Sequence, residues 1–338
     1  MSEPRDISVL IAGVGSIGQR HLRNLQALGV GDIRLYRTGR AVRAVPEAAD
    51  LRVYSDLSTA LAERPDAVIV SNPTALHMPV ALAAAEAGAH LLIEKPIADS
   101  LAGVAELTRR AEERGLRVLS GFQFRRHPAL RAVAQWLASE RIGRVISAHA
   151  HWGEYLPGWH PGEDYRQSYA ARPDLGGGVL LTLCHPLDYL RWLIGEVVAV
   201  QARLARRSSL GVAAEDTAQL SLRCADGALA TVYVDYVQRP PRHELEIIGE
   251  AGTIHWSQAD HAAVLHDGAT GREERYDPPA EFERNTLFVD EMRHFLDCVA
   301  AGRAPDCSLA DGVAALRIAL AAKRASAERR EVEIDEIV

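Results

Sequence analysis

Residues 7–12, ISVLIA, form a short continuous run, apolar but for Ser8, that stops at glycine, the pattern of a strand covered on both faces. A helix follows over about 16–28 and ends at Gly29 and Gly31, where glycine supplies the usual stop. The alternation continues through IRLYR (33–37), a helix at 57–63, AVIVS (67–71), a helix from Met78 to Ala87 stopped by Gly88, HLLIE (90–94), a helix at 100–114 and RVLSG (117–121). Strands separated by single helices imply a parallel sheet with right-handed crossovers. Residues 1–125 therefore read as a doubly wound α/β domain.

Beyond residue 125 the period changes. His127-Pro128 opens a helix, PALRAVAQWLASE, after which VISAHAHWGEY, VVAVQARLARR, TAQLSLRC, ALATVYVDYV, HELEIIG and TIHWS alternate apolar with polar positions. Asp226-Gly227 and Glu250-Ala251-Gly252 stand where tight hairpin turns belong. The expectation for 126–338 is an α+β domain with a large, mainly antiparallel open sheet, closed by helices at about 283–300 and 308–326.

With 338 residues, 48% hydrophobic and 25% charged, the chain can fill two cores and is not a disordered one. A net charge of −7 argues against nucleic acid as the main partner. Cys184, Cys224, Cys298 and Cys307 make no C-x-x-C, so they are expected to be reduced thiols with no metal site. No stretch has the form of a signal peptide or of the roughly 20 apolar residues that span a bilayer, and the expected setting is cytoplasmic, away from membranes. The cations are lopsided: of 38, 36 are arginine and only Lys95 and Lys323 are lysine.

Gly13-Val14-Gly15-Ser16-Ile17-Gly18 is G-x-G-x-x-G between a strand and a helix. The first glycine permits a tight turn, the second lets backbone approach a pyrophosphate, and the third lets helix and strand pack closely, with Ser16 and Ile17 at the helix start. About 20 residues on, where an NAD site carries a carboxylate for the ribose, the chain reads Tyr36-Arg37-Thr38-Gly39-Arg40. Arg37 and Thr38, with no acid to repel a 2′-phosphate, favour NADP(H) while leaving NAD(H) possible. At the end of HLLIE stands Lys95 between Glu94 and Pro96. Ligands of open α/β sheets collect at such strand ends, and an ammonium can share a proton where a guanidinium cannot. In a chain that makes almost every cation arginine, this lysine reads as chosen for chemistry.

These features, with SNPTALH (71–77), GFQFRRHP (121–128), GGGVLLTLCHPLD (176–188) and HFLDCVAAGRAPDCSLADG near the end, resemble the Gfo/Idh/MocA family of NAD(P)-dependent oxidoreductases across essentially the whole chain. The resemblance implies a Rossmann-type domain followed by an α+β domain whose open sheet serves oligomer contacts, in a dimer or tetramer. It implies hydride transfer between nicotinamide and a secondary alcohol or ketone of a sugar, amino sugar or cyclitol. In it, Lys95 contacts substrate and cofactor, a histidine at the position of His185 is the acid/base, and Ser71, Asn72, Pro73 and His77 line the nicotinamide side with Glu94. Where many relatives carry an aspartate shortly before that histidine, this chain has Leu181 and Thr182, leaving Asp188 or a substrate group to orient it.

In the second domain, Leu180, Leu183, Leu187 and Leu190 suggest one helix over 179–193 with Thr182, His185 and Asp188 stepping along one face. Histidine titrates near neutrality by type, which suits moving a hydroxyl proton. The segment HWGEYLPGWHPGEDYRQSYAARPDLGGG is too polar for a core and too aromatic for a linker. It reads as a substrate loop offering Tyr155, Trp159, His160, Asp164, Tyr165 and Arg166, with Gln123 nearby in sequence; a similar string occurs in a family branch of bacterial amino-sugar and nonulosonic-acid gene clusters. His149 and His151, two apart, read as pocket wall rather than metal ligands. The alternative function is a non-catalytic cofactor-binding sensor of the same fold.

Overall fold

The computed structural model describes residues 6–38 and 48–338; Gly39 and Arg40 of the ribose-site segment lie outside them. The elements run β1 (Val9–Ala12), α1 (Ser16–Ala27), β2 (Ile33–Tyr36), β3 (Arg52–Tyr54), α2 (Leu57–Ala62), β4 (Ala67–Val70), α3 (His77–Glu86), β5 (His90–Glu94), α4 (Val104–Glu113) and β6 (Val118–Gly121). They continue with α5 (Pro128–Ala138), β7 (Val145–Gly153), α6 (Val179–Thr182), α7 (His185–Ile194), β8 (Val197–Ala205), β9 (Thr217–Cys224) and β10 (Leu229–Asp235). The remainder is β11 (Arg242–Gly249), β12 (Gly252–Ser257), β13 (Ala263–Asp267), β14 (Glu273–Tyr276), α8 (Arg284–Ala301), α9 (Leu309–Glu328) and β15 (Val332–Glu333).

Two compact units result. The first comprises residues up to Gln123 together with Glu283–Val313. Its sheet, in the order β3-β2-β1-β4-β5-β6, is parallel throughout. The order reverses between β1 and β4, the switch point at which doubly wound sheets bind ligands. All four residues of β1 and of β4 are buried, as apolar strands covered on both faces must be. The expected boundary at residue 125 takes no account of the return of 283–313. Met292, Phe295 and Leu296 of α8 share a core with Leu22 and Leu25 of α1, and an amphipathic helix pattern does not name the surface it will cover.

The second unit comprises Phe124–Phe282 and Ala314–Val338. Its nine strands run β14-β13-β12-β11-β7-β10-β9-β8-β15. Every described pair is antiparallel except β7 with β10. The Asp226-Gly227 turn joins β9 to β10, with Gly227 at φ +91° and Asp226 accepting the Ala228 N–H. Alternation along the strands buries one face, including Ala148, Ala150, Trp152, Val232 and Leu245, where α5, α6 and α7 pack. The opposite face is open. Among the described residues no helix is long and apolar enough to cross a membrane.

Candidate active site

In the first unit the three glycines of the loop after β1 do different work. Gly13 has φ +100°, and a Cβ there would lie 2.5 Å from the Asn72 backbone nitrogen. At Gly18 a Cβ would meet the Gly13 carbonyl oxygen at 2.0 Å. Gly15 is extended, and nothing lies within 4 Å of the place its Cβ would take. Gly15 is also the N-cap of α1, where no side chain caps the helix and the first turn holds no acid. Open backbone N–H groups at the positive end of a helix suit an anion. A dinucleotide pyrophosphate therefore fits here, with Ser16 exposed and Ile17 half-buried beside it.

The end of β4 braces this loop. Ser71 Oγ donates to the Gly13 carbonyl at 2.8 Å, and Asn72 Nδ2 donates to the Leu76 carbonyl at 2.9 Å. Pro73 precedes a single 3-10 turn, and the His77 ring, at the start of α3, sets its two nitrogens 2.7 and 2.9 Å from the carbonyl oxygens of Asn72 and Pro96. Ser71 and His77 thus spend polar atoms on the fold itself. Asn72 Oδ1 is buried and meets no hydrogen-bonding atom among the described residues. Lys95 follows the last residue of β5 and is half-buried, with a cis peptide bond to Pro96. Glu94 is buried, with Oε1 2.7 Å from His21 Nε2 on α1 and Oε2 accepting the Lys95 N–H at 3.3 Å. Burial alone would raise its carboxyl, but the His21 hydrogen bond and the charges of His21, Lys95 and His77 hold it below the usual carboxylate range. At the end of β2, the Arg37 N–H donates to the Tyr54 carbonyl, and Arg37 and Thr38 are at least partly accessible.

In the second unit the expected single helix over 179–193 is two. After α6 the chain leaves helical geometry at Leu183 (ψ +42°), and α7 restarts at His185. The cause is Pro186, which has no N–H to give the Thr182 carbonyl and whose ring would collide with it. His185 therefore opens a new helix, and Asp188 lies one turn further on. His185 is 1% exposed, within an aromatic box: its ring centroid is 4.8 Å from Phe124, edge to face, and 5.3 Å from Trp152. Trp152 stacks on His243 at 4.3 Å. His243 Nδ1 donates to Gln258 Oε1 (2.7 Å), leaving Nε2 to accept from the Tyr189 hydroxyl (3.3 Å). Below the box, His127 caps α5 by accepting the Ala129 N–H, and burial pushes its ring down to about 3.

Asp188, expected to meet substrate or orient the histidine, is gripped by Arg125: Nε to Oδ2 3.0 Å and Nη2 to Oδ1 2.6 Å, both residues buried. Thr182 is buried, and the Tyr236 hydroxyl donates to the Ala170 carbonyl at 3.2 Å. The glycine triplet makes room. At Gly177 a Cβ would strike the Tyr169 carbonyl at 2.1 Å, and at Gly178 (φ +117°) it would strike the Glu215 carboxylate at 2.2 Å. Glu215 receives the Leu180 N–H at 3.4 Å, and burial raises its carboxyl despite the opposing charge of Lys323.

The proposed substrate loop folds as successive 3-10 turns at Leu156–Gly158, Tyr165–Gln167, Tyr169–Ala171 and Pro173–Leu175. Arg239 lies over the Tyr155 ring at 4.0 Å, and Trp159 stands edge to face with Tyr236, its Nε1 buried without a hydrogen-bond partner among the described residues. Tyr165 donates to the Leu210 carbonyl, Arg166 covers the Tyr165 ring, and Asp164 caps its own turn at the Arg166 N–H. His160 is half-buried. Gln123, the last residue of the first unit, is buried with Oε1 unpartnered among the described residues. His149 and His151 are not pocket wall in this fold. They alternate with buried Ala148, Ala150 and Trp152 and so stand on the open face, beside Thr231 and Asp235. Among the described residues no three His, Cys, Asp or Glu could hold a metal ion.

The sequence had singled out the glycine loop, Lys95 and His185. It had not shown His21 under Glu94, the aromatic box, Arg125 on Asp188 or Glu215 beneath the glycines, because each joins residues distant in sequence whose types alone signal nothing.

Comparison with known proteins bears on the fold and the family. The family model described as "Oxidoreductase family, NAD-binding Rossmann fold" matches residues 7–122, and that of the GFO/IDH/MocA C-terminal domain matches 130–255. An uncharacterized oxidoreductase of Synechocystis sp. is 31% identical over 75% of this chain and 72% of its own. Myo-inositol 2-dehydrogenase of Thermotoga maritima is 26% identical over 97% and 98%. Levoglucosan dehydrogenase, solved with NADH and levoglucosan, shares the fold with a TM-score of 0.86 at 20% identity, over 97% of this chain and 99% of that one. On this evidence the chain is an oxidoreductase with an NAD-binding Rossmann domain and belongs to the Gfo/Idh/MocA family.

Proposed function

We propose that the protein oxidises a secondary alcohol of a sugar, amino sugar or cyclitol, or reduces the corresponding ketone, with NADP(H) preferred over NAD(H). The observation that carries the reading is Lys95 at the carboxyl end of β5, in the same sheet whose β1 loop offers an anion cradle. When bound, the dinucleotide supplies or accepts the hydride at nicotinamide C4. The Lys95 ammonium polarises the substrate oxygen, and His185 takes the hydroxyl proton in oxidation and returns it in reduction. The aromatic box keeps bulk water from His185. The loop 154–175 contributes Tyr155, Trp159, His160, Asp164 and Arg166 toward a polyol, with Gln123 and Thr182. Relatedness to an enzyme named for myo-inositol supports the substrate class, and Arg37 with Thr38 supports a 2′-phosphate. A cytoplasmic homo-oligomer built through the open sheet face completes the proposal, supported by exposed Leu229 and Tyr233.

A cofactor-reduction screen of inositols, uronic acids, amino sugars and nucleotide sugars with both dinucleotides tests it. Lys95→Ala and His185→Ala should each lose roughly 10²–10⁴-fold in turnover on the substrate found. Wild-type turnover in both variants would overturn the mechanism, and equal or better use of NAD would overturn the reading of Arg37. Dinucleotide binding with no turnover on any alcohol or ketone would favour a sensor.

A further inference from the structure

We propose that Glu94, anchored by His21, is the counter-ion and positioning residue of Lys95, tying the lysine to the helix that receives the dinucleotide. Four observations converge on it. Glu94 is buried at the last position of β5, next in sequence to Lys95. Its Oε1 takes the His21 Nε2–H at 2.7 Å, and His21, 0% exposed, lies in the second turn of α1, whose first turn faces the anion cradle. Its Oε2 takes the backbone N–H of Lys95 itself. His21 in turn packs edge to face on Phe288 of α8, over which Arg20 also lies.

A buried carboxylate is costly unless hydrogen bonds and cations hold it. The charged groups facing Glu94 are His21 and Arg20 on α1, His77 on α3 and Lys95. Attraction between Glu94 and Lys95 is mutual, so the anion that Lys95 helps to keep ionised keeps Lys95 an ammonium and near one place. A lysine beside an uncharged residue would have neither constraint. The pair concerns the charge of Lys95 and rests on the proposed function only for its effect on turnover.

The chain holds only two lysines, so acylation by trace acetic anhydride, read by mass spectrometry as the ratio of Lys95 to Lys323, reports directly on the Lys95 amine. At pH 8, Glu94→Gln should raise that ratio at least three-fold over wild type, and His21→Gln, which keeps the carboxylate but loosens its anchor, should raise it by a smaller factor. Melting curves identify a variant that fails to fold, and the other variant then carries the test. A ratio unchanged from wild type in a folded variant overturns the proposal. A raised ratio with substrate turnover unchanged would uphold the pair and count instead against the role of Lys95 in the reaction.

Discussion

Each of the two lysines keeps company with a glutamate, the buried Glu94 in the first unit and the half-buried Glu215 in the second, and the two glutamates behave oppositely. Glu94 is held below the usual carboxylate range although burial opposes it, whereas Glu215 is raised by burial that Lys323 and a 3.4 Å backbone hydrogen bond only partly offset. Lost hydration opposes ionisation in both. The difference lies in the short hydrogen bond from His21, which Glu215 has no counterpart for among its described contacts. Hydrogen bonding to the charged form, rather than depth, decides whether a buried carboxyl is an anion.

If so, removing the partner should hurt unequally. His21→Leu strands a buried charge and should cost about 3–5 kcal/mol in urea unfolding, while Lys323→Met should cost less than about 1 kcal/mol. Equal losses would break the comparison. Gly178→Ala forces an L residue into φ +117° and pushes against the Glu215 carboxylate, so a cost of about 1–3 kcal/mol is expected from the same unfolding measurement.

The pH dependence should separate the two groups by sign. Below the ordinary value of 4.5 the unfolded chain binds more protons at Glu94 than the folded one, so that group's stabilisation is present above 4.5 and fades as pH falls. For Glu215 the folded chain binds more protons above 4.5, so its contribution is full below that value and is lost as pH rises. Melting temperatures from pH 3.5 to 7 should show the deficit of Glu94→Gln growing up to about 4.5, and Glu215→Gln gaining on wild type above it. Parallel curves would show that the two carboxyls do not differ. The smallest effect on stability belongs to Gly15→Ala, within about 0.5 kcal/mol of wild type, because its Cβ meets nothing. The same change should weaken dinucleotide binding at least ten-fold by titration, since the methyl occupies the anion's approach.

How much of this was legible depended on whether the signal was local. The glycine loop, the strand-end lysine and the Asp226-Gly227 hairpin are local events of backbone geometry, and residue type reports them. Pro186 was equally legible, yet the apolar spacing of Leu180, Leu183, Leu187 and Leu190 outweighed it in reading one helix where there are two. The short strands β3, β13, β14 and β15 carry weak or polar patterns and take their form from neighbours. Glu215 beneath Gly178 is 37 residues away in sequence, and nothing in a glycine triplet names the side chain it accommodates.

The parallel pairing of β7 with β10 has a consequence for the order of assembly. β7 lies between β11 and β10, and parallel neighbours cannot be joined by a tight turn, so the excursion from 154 to 228 must be made before the middle of the sheet can close. The first unit waits longer still, for Met292, Phe295 and Leu296 of α8 to seal its core. As the chain leaves the ribosome, both units stay open at the core until most of these residues have been synthesised, and a chain cut short before Glu283 would contain neither of them whole.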